Sequence, residues 1–94
     1  MKDTKYLPVG SIVLLKGSAN KVVILGYAVK EDNDNKIWDY VGGPFPVGII
    51  KSDMNILFDI EQIDKVIHIG YKDEDTISFL EAIERDLEKI RNNG

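Results

Sequence analysis

Few side chains in this 94-residue sequence belong to the types that perform chemistry, and their spacing assembles no catalytic set. His68 is the sole histidine, and catalysis by histidine usually requires a nucleophile and an orienting acid beside the imidazole. No serine or aspartate stands at a spacing that pairs it with His68, and a place on the outer face of a predicted strand favours a surface residue. We therefore predict no catalytic residue and no enzymatic activity.

Two further patterns are incomplete versions of known ligand sites. Asp32 and Asp34 alternate as the ligands of a calcium-binding loop do, but the glycine at the sixth position and the later ligands are missing. Gly42, Gly43 and Gly48 lack the Lys and Ser/Thr that complete a phosphate-binding loop. The chain has no cysteine, which removes thiolate zinc sites and disulfides. The sequence predicts no metal ion and no cofactor.

The most unusual segment is 38–48, Trp-Asp-Tyr-Val-Gly-Gly-Pro-Phe-Pro-Val-Gly, in which three aromatic residues stand among glycines and prolines. Such a segment forms a bent, packed turn, and aromatic side chains on a bent backbone can form a groove for a peptide or protein partner. Trp38, Tyr40 and Phe45 are therefore candidate partner-binding residues. The alternative is that these side chains complete the core of a small domain.

Composition limits the class of partner. The net charge is −4, and the lysines are scattered along the chain, whereas nucleic-acid binding needs clustered Lys and Arg. No apolar stretch approaches the ~20 residues that span a bilayer, and the N-terminus lacks the apolar segment of a signal peptide. We predict a cytoplasmic protein without membrane insertion, and leave open export by a pathway that reads no cleavable signal.

Short strands are predicted before a single helix, within one domain of residues 1–94. The strand segments are 11–16, 21–30, 37–41, a short segment at 47–50, a brief extended stretch leading into a turn at 59–64, and 65–71. Gly26 predicts a bulge that bends the second strand. In the last strand, alternation places Ile67, Ile69 and Tyr71 on the inward face.

The final third predicts a helix over about 74–91. Apolar residues recur there at three- and four-residue spacing, at Ile77, Leu80, Ile83, Leu87 and Ile90. Asp73 or Asp75 can cap its first turn. The stripe is mostly core, but Leu87 and Ile90 can extend beyond a small barrel and form a second candidate partner surface.

Strands followed by one helix predict an α+β fold. The short strands and the bulge-forming glycine favour a small SH3-like β-barrel or β-roll of four to five short antiparallel strands, followed by one C-terminal α-helix.

Several stretches together resemble one protein family. They are 7–17 (Leu-Pro-Val-Gly-Ser-Ile-Val-Leu-Leu-Lys-Gly), 22–27 (Val-Val-Ile-Leu-Gly-Tyr) and 38–48, followed by Phe58, 63–66 and Gly70-Tyr71. The resembled family is an uncharacterised group of small proteins of Gram-positive bacteria, typically encoded beside type VII secretion components and LXG-type polymorphic toxins. The resemblance implies an accessory, adaptor or chaperone-like part in toxin secretion, and it carries over no catalytic residue.

We therefore expect a non-enzymatic protein-interaction module associated with type VII secretion. Its partner would be a helical or extended segment of a secreted toxin, or another secretion accessory protein. Two alternatives stay open. One is a small-ligand-binding or enzymatic barrel with a pocket near His68, Asp39 or Tyr71. The other is a structural homo-oligomer that associates through the helix or a barrel edge.

Overall fold

Five strands precede one helix in the computed structural model, which describes residues 5–30 and 35–93. The elements are β1 Ile12–Leu15, β2 Lys21–Lys30, β3 Ile37–Phe45, β4 Ile56–Phe58, β5 Ile63–His68 and α1 Glu74–Asn93. Short 3-10 turns at Ser52–Met54 and Ile60–Gln62 flank β4. The predicted α+β fold, with short antiparallel strands and one C-terminal helix, is confirmed. The predicted acidic loop with Asp32 and Asp34 lies outside the described residues.

The strands form one antiparallel sheet in the order β4-β3-β2-β1-β5. Consecutive strands are neighbours from β1 to β4, and β5 returns to pair with the free side of β1. The sheet is open, with β4 and β5 at its two edges. The SH3-like barrel or β-roll therefore stays a prediction.

A bulge bends β2 where Gly26 predicted one. Ile24 pairs with Gly42 and Gly26 pairs with Val41, so Leu25 has no partner on β3. A Cβ at Gly26 would lie 3.1 Å from Val41 Cγ1, so a larger residue would require the Val41 side chain to shift slightly. The bulge leaves the Leu25 side chain exposed to solvent.

The third strand continues through Gly42, Gly43 and Pro44, although the sequence predicts that it ends at Val41 and that a bent turn follows. Gly42 and Gly43 pair with Ile24 and Val23 of β2. A Cβ at Gly42 would lie only 2.5 Å from the Val23 carbonyl oxygen, so a residue without a side chain lets the two backbones approach. The glycines therefore extend the strand instead of ending it.

The short strand predicted at 47–50 is wrong, because the chain forms a turn there. Gly48 has φ +76°, a conformation that favours glycine, and its N–H donates to the Pro44 carbonyl oxygen at 2.7 Å. This reversal places the apolar residues after Pro46 in a surface loop.

The inward face predicted for the last strand is also wrong. Ile67, Ile69 and Tyr71 are all exposed. The pairing of β5 with β1 contains two register shifts, and each leaves one β5 residue without a β1 partner, at Asp64 and at Ile67. Every residue of β5 after Ile63 is exposed, so neither face of this edge strand is buried, and Ile69 and Tyr71 lie after the strand has ended at His68.

The helix begins as predicted, with Asp73 as its cap. The Asp73 Oδ1 atom accepts hydrogen bonds from the Thr76 N–H and the Thr76 hydroxyl, both at 2.8 Å. These bonds hold the pKa of Asp73 below its ordinary value. The helix packs Leu80 and Leu87 into the core of the domain, which also contains Tyr6, Val13, Val22, Ile24, Tyr40 and Phe58.

Beyond β5, the chain crosses the segment before β1 at very close range. The Gly70 N–H donates to Ser11 Oγ at 3.0 Å. A Cβ at Gly70 would lie 2.3 Å from the Val9 carbonyl oxygen and 2.9 Å from the Ser11 nitrogen. Both neighbours are backbone atoms, so no flexible side chain can move aside.

We predict that Gly70→Ala lowers the free energy of unfolding by about 2 kcal/mol, the usual scale for overpacking a tight contact. Urea unfolding followed by circular dichroism measures the change. Gly48→Ala is the matched control, because that site has open space around it and is sensitive only to its positive φ. A Gly70→Ala variant no less stable than Gly48→Ala would contradict the close approach.

Candidate functional site

The aromatic segment contains a buried carboxylate, Asp39, which is 5% exposed. Its Oδ1 atom accepts from the Tyr6 hydroxyl at 2.7 Å and from Arg91 Nη1 at 2.8 Å. Its Oδ2 atom accepts from the Ile60 backbone N–H at 2.9 Å. The three donors come from the N-terminal segment, the C-terminal helix and the 3-10 turn after β4, so one side chain joins three distant parts of the chain.

A second, more exposed layer of charge surrounds Asp39. The Asp39 N–H donates to Asp59 Oδ1 at 3.0 Å, and Lys36 Nζ lies 2.8 Å from Asp59 Oδ2. Arg91 Nη2 donates to the Ile37 carbonyl oxygen at 2.7 Å. The guanidinium therefore holds the last turns of the helix against the start of β3.

The environment keeps Asp39 ionised. Burial opposes its negative charge, but the hydrogen bonds from Ile60, Tyr6 and Arg91, together with the guanidinium charge, outweigh that cost and lower the pKa of Asp39. A carboxylate in this state carries no proton to donate, and both of its oxygens are engaged. We interpret Asp39 as a structural residue.

The three buried or half-buried tyrosines act as neutral hydrogen-bonding groups. Burial raises the pKa of Tyr40 to about 12, and it also raises the pKa of Tyr6 and of Tyr27. The Leu7 N–H donates to the Tyr40 hydroxyl at 3.0 Å, and the Tyr27 hydroxyl donates to the Leu7 carbonyl oxygen. These bonds attach the N-terminal segment to β2 and β3.

A cleft of about 460 Å³ lies beside Asp39, at the place where the enzymatic alternative would need one. Its charged lining comes from Lys36, Asp39, Asp59, Glu61 and Arg91. Neither His68 nor Tyr71 lines it. Of the three positions named for the small-ligand or enzymatic alternative, Asp39 lines this cleft, so that alternative stays open.

The structure divides the aromatic segment into a core part and a surface part. Tyr40 is fully buried and stacks on Phe58, with ring centroids 5.1 Å apart. Trp38 is half-buried, and Lys36 Nζ lies 4.0 Å from its ring centroid. Phe45 is 39% exposed. Of the three predicted binding residues, Phe45 is the one that is classed as exposed, although most of its surface is covered.

Of the two predicted partner-binding residues on the helix, one is buried and the other is exposed. Leu87 is buried in the core, so its side chain is not available to a partner in this structure. Ile90 is about half exposed and lines the cleft beside Asp39. The helix therefore offers a single apolar side chain there, among charged neighbours.

Several exposed apolar residues lie in and beside the turn that follows Phe45. We call this surface the loop patch, and it consists of Leu25, Phe45, Val47, Ile49 and Ile50. Leu25 and Ile49 meet over Gly43, where a Cβ would lie 2.9 Å from Ile49 Cγ1 and 3.5 Å from Leu25 Cδ1. Sequence reasoning missed every member except Phe45, because the segment after Pro46 was assigned to a strand and Leu25 to the interior of another.

These features define a small α+β domain that has a buried, hydrogen-bonded carboxylate at Asp39 and an exposed apolar surface, the loop patch. A family model described as Domain of unknown function (DUF4176) matches residues 6–79, and the chain belongs to this family. The match spans the whole sheet and the first turns of the helix. No curated protein and no solved structure shows significant similarity to the chain. Within the described residues, no helix combines the length and apolarity needed to cross a membrane.

We predict that Asp39→Asn lowers the free energy of unfolding by about 2 kcal/mol at neutral pH, because hydrogen bonds to a buried charge are lost. The lowered pKa of Asp39 means that its carboxylate stabilises the fold above the ordinary value of 3.8, and that this contribution disappears as the pH falls through the native pKa. The stability difference between wild type and variant should therefore narrow on acidification.

Urea unfolding of both proteins at pH 7 and pH 3 measures this difference. Asp53→Asn is the control, because Asp53 is an exposed carboxylate in a 3-10 turn. A difference that stays constant between the two pH values would show that Asp39 is not an ionised hydrogen-bond acceptor in the native state.

Proposed function

We propose that this protein is a non-enzymatic protein-interaction module, an accessory, adaptor or chaperone-like component of type VII secretion. The loop patch is its contact surface. It binds an apolar helical or extended segment of a secreted toxin, or of another secretion accessory protein. The observation that carries the proposal is that five exposed apolar side chains, none of them in the buried core, lie in and beside one surface turn.

The size of the patch indicates a partner that also makes polar contacts. Complete burial of a Leu, Ile or Phe side chain contributes about 1.5–3 kcal/mol, and these side chains are already partly covered. Association itself costs at least about 4 kcal/mol. Apolar burial on the loop patch therefore gives only weak binding unless further contacts are made.

Lysines beside the patch supply such contacts. Lys21 Nζ lies 5.5 Å from the centroid of the Phe45 ring, and Lys51 follows Ile50 directly. Both can pair with carboxylates at the rim of an interface. A partner segment with an apolar face flanked by Asp or Glu fits this surface best.

The secretion context rests on the resemblance of the sequence motifs. Gly42, Pro46 and Gly48, which belong to one of those motifs, lie in β3 and in the turn that follows it, beside the patch. This agreement between motif and surface supports a role for the turn in binding. In this proposal the protein meets its partner in the cytoplasm, before export.

Self-association through β5 is the less favoured alternative. Two register shifts distort this edge strand, and Lys65 is exposed on it. Bulges and lysines are the features that natural sheets use to prevent edge-to-edge pairing. The binding experiment below therefore includes a measurement of the protein's mass in solution.

We predict that Val47→Asp with Ile50→Asp weakens binding to the cognate partner at least tenfold. The measurement is co-purification, followed by calorimetry, with the toxin and accessory proteins encoded beside this gene. Both side chains are exposed, so the fold should persist.

Ile67→Asp with Ile69→Asp is the matched control, because it places the same two charges on exposed isoleucines outside the loop patch. Full binding by the loop-patch variant, or equal loss in the control, would contradict the proposed surface. Light scattering that shows a dimer dissociated by the loop-patch variant would instead assign the loop patch to self-association and contradict the proposal.

A further inference from the structure

A second cavity, of about 390 Å³, lies between the start of the helix and the sheet. It shares no residue with the loop patch. Its lining consists of Val9, Tyr27, Tyr71, Asp75, Thr76 and Phe79. Three aromatic rings, one aliphatic side chain and one carboxylate-bearing residue therefore surround a single open space.

The Tyr27 wall of the cavity is held by the core, and the position of Tyr71 is set by its backbone. The Tyr27 and Phe79 ring centroids are 5.8 Å apart, with an angle of 58° between the rings. Tyr27 also contacts the rings of Tyr6 and Tyr40, and its hydroxyl donates to a backbone carbonyl. Tyr71 follows Gly70, whose close contact with Val9 brings the two sides of the cavity together.

Parts of the walls face solvent. Tyr71 is 80% exposed and Phe79 is 52% exposed, so ring surface is available to a ligand. The three cation–ring contacts found among the described residues involve other rings, those of Tyr6, Trp38 and Phe45.

The charge beside the cavity is negative. The segment 72–75 contains one lysine and three carboxylates, a formal net charge of −2. The positive end of the helix dipole opposes this, but it amounts to only about half an elementary charge. Because the carboxylates outweigh the dipole, the surroundings of the cavity favour a cation over an anion.

We propose that this cavity binds the side chain of an arginine from a protein partner. The faces of aromatic rings attract cations, and a guanidinium plane stacks on them. Asp75 supplies a carboxylate for its N–H groups. Val9 offers apolar surface for the methylene stem. A guanidinium suits this half-open site better than a lysine ammonium because it is less strongly hydrated. The cavity shares no residue with the loop patch, so an experiment can disprove binding at one of these surfaces without disproving it at the other.

The experiment compares two capped amino acids as probes of the full chain. N-acetyl-arginine methylamide carries the cation, and N-acetyl-citrulline methylamide has nearly the same shape without the charge. Amide chemical shifts are followed by NMR during each titration. We expect the arginine probe to bind about fivefold more tightly, a preference of the size that cation–ring contacts give. The shifts should centre on Val9, Tyr71 and Phe79.

Two variants test whether the cavity causes the preference for the arginine probe over the citrulline probe. Tyr71→Leu removes an exposed ring, Asp75→Asn removes the carboxylate, and each should reduce the preference to about twofold or less. Phe45→Leu, in the loop patch, should leave it unchanged. Equal affinity for both probes, shifts centred elsewhere, or a preference that survives both cavity variants would overturn the proposal.

Discussion

The arrangement of the domain depends on one buried carboxylate with three donors. Asp39 accepts hydrogen bonds from the Tyr6 hydroxyl, the Ile60 backbone N–H and the Arg91 guanidinium. A buried charge is costly unless such partners surround it, so the residue constrains all three to meet at the same point. The N-terminal segment, the turn before β5 and the end of the helix are thereby fixed to β3.

Asp39 lies in the aromatic segment, which the structure divides into a buried part and an exposed part. Next to Asp39, Tyr40 points into the core, stacks on Phe58 and accepts a hydrogen bond from the Leu7 N–H. Further along, the glycines at 42 and 43 keep the strand paired closely to β2, and the chain then turns outward after Phe45. The rigid inner half of the segment positions the apolar outer half at the surface. The loop patch can therefore be presented to a partner without rearrangement of the core.

Sequence patterns predicted the features that depend on local chemistry. The range of β2, the bulge at Gly26, the cap at Asp73 and the apolar stripe of the helix all follow from residues close together in the chain. The predictions that were wrong depend on contacts between residues that lie far apart in the sequence. Gly42 extends β3 because it lies against the backbone of β2, and β5 has no buried face beyond Ile63 because it lies at the edge of the sheet. Asp39 and Arg91 lie 52 positions apart, so no spacing rule could pair them.

The central claim is that Asp39 couples the two ends of the chain, and a double-mutant cycle tests it most directly. Tyr6→Phe removes one hydrogen bond to Asp39 Oδ1, Arg91→Gln removes another, and urea unfolding gives the free energy of each single variant and of the double variant. Because both donors share one acceptor, we predict a coupling energy of about 1 kcal/mol. Additive effects, with a coupling below about 0.3 kcal/mol, would show that Tyr6 and Arg91 stabilise the fold independently and would contradict the role assigned to Asp39.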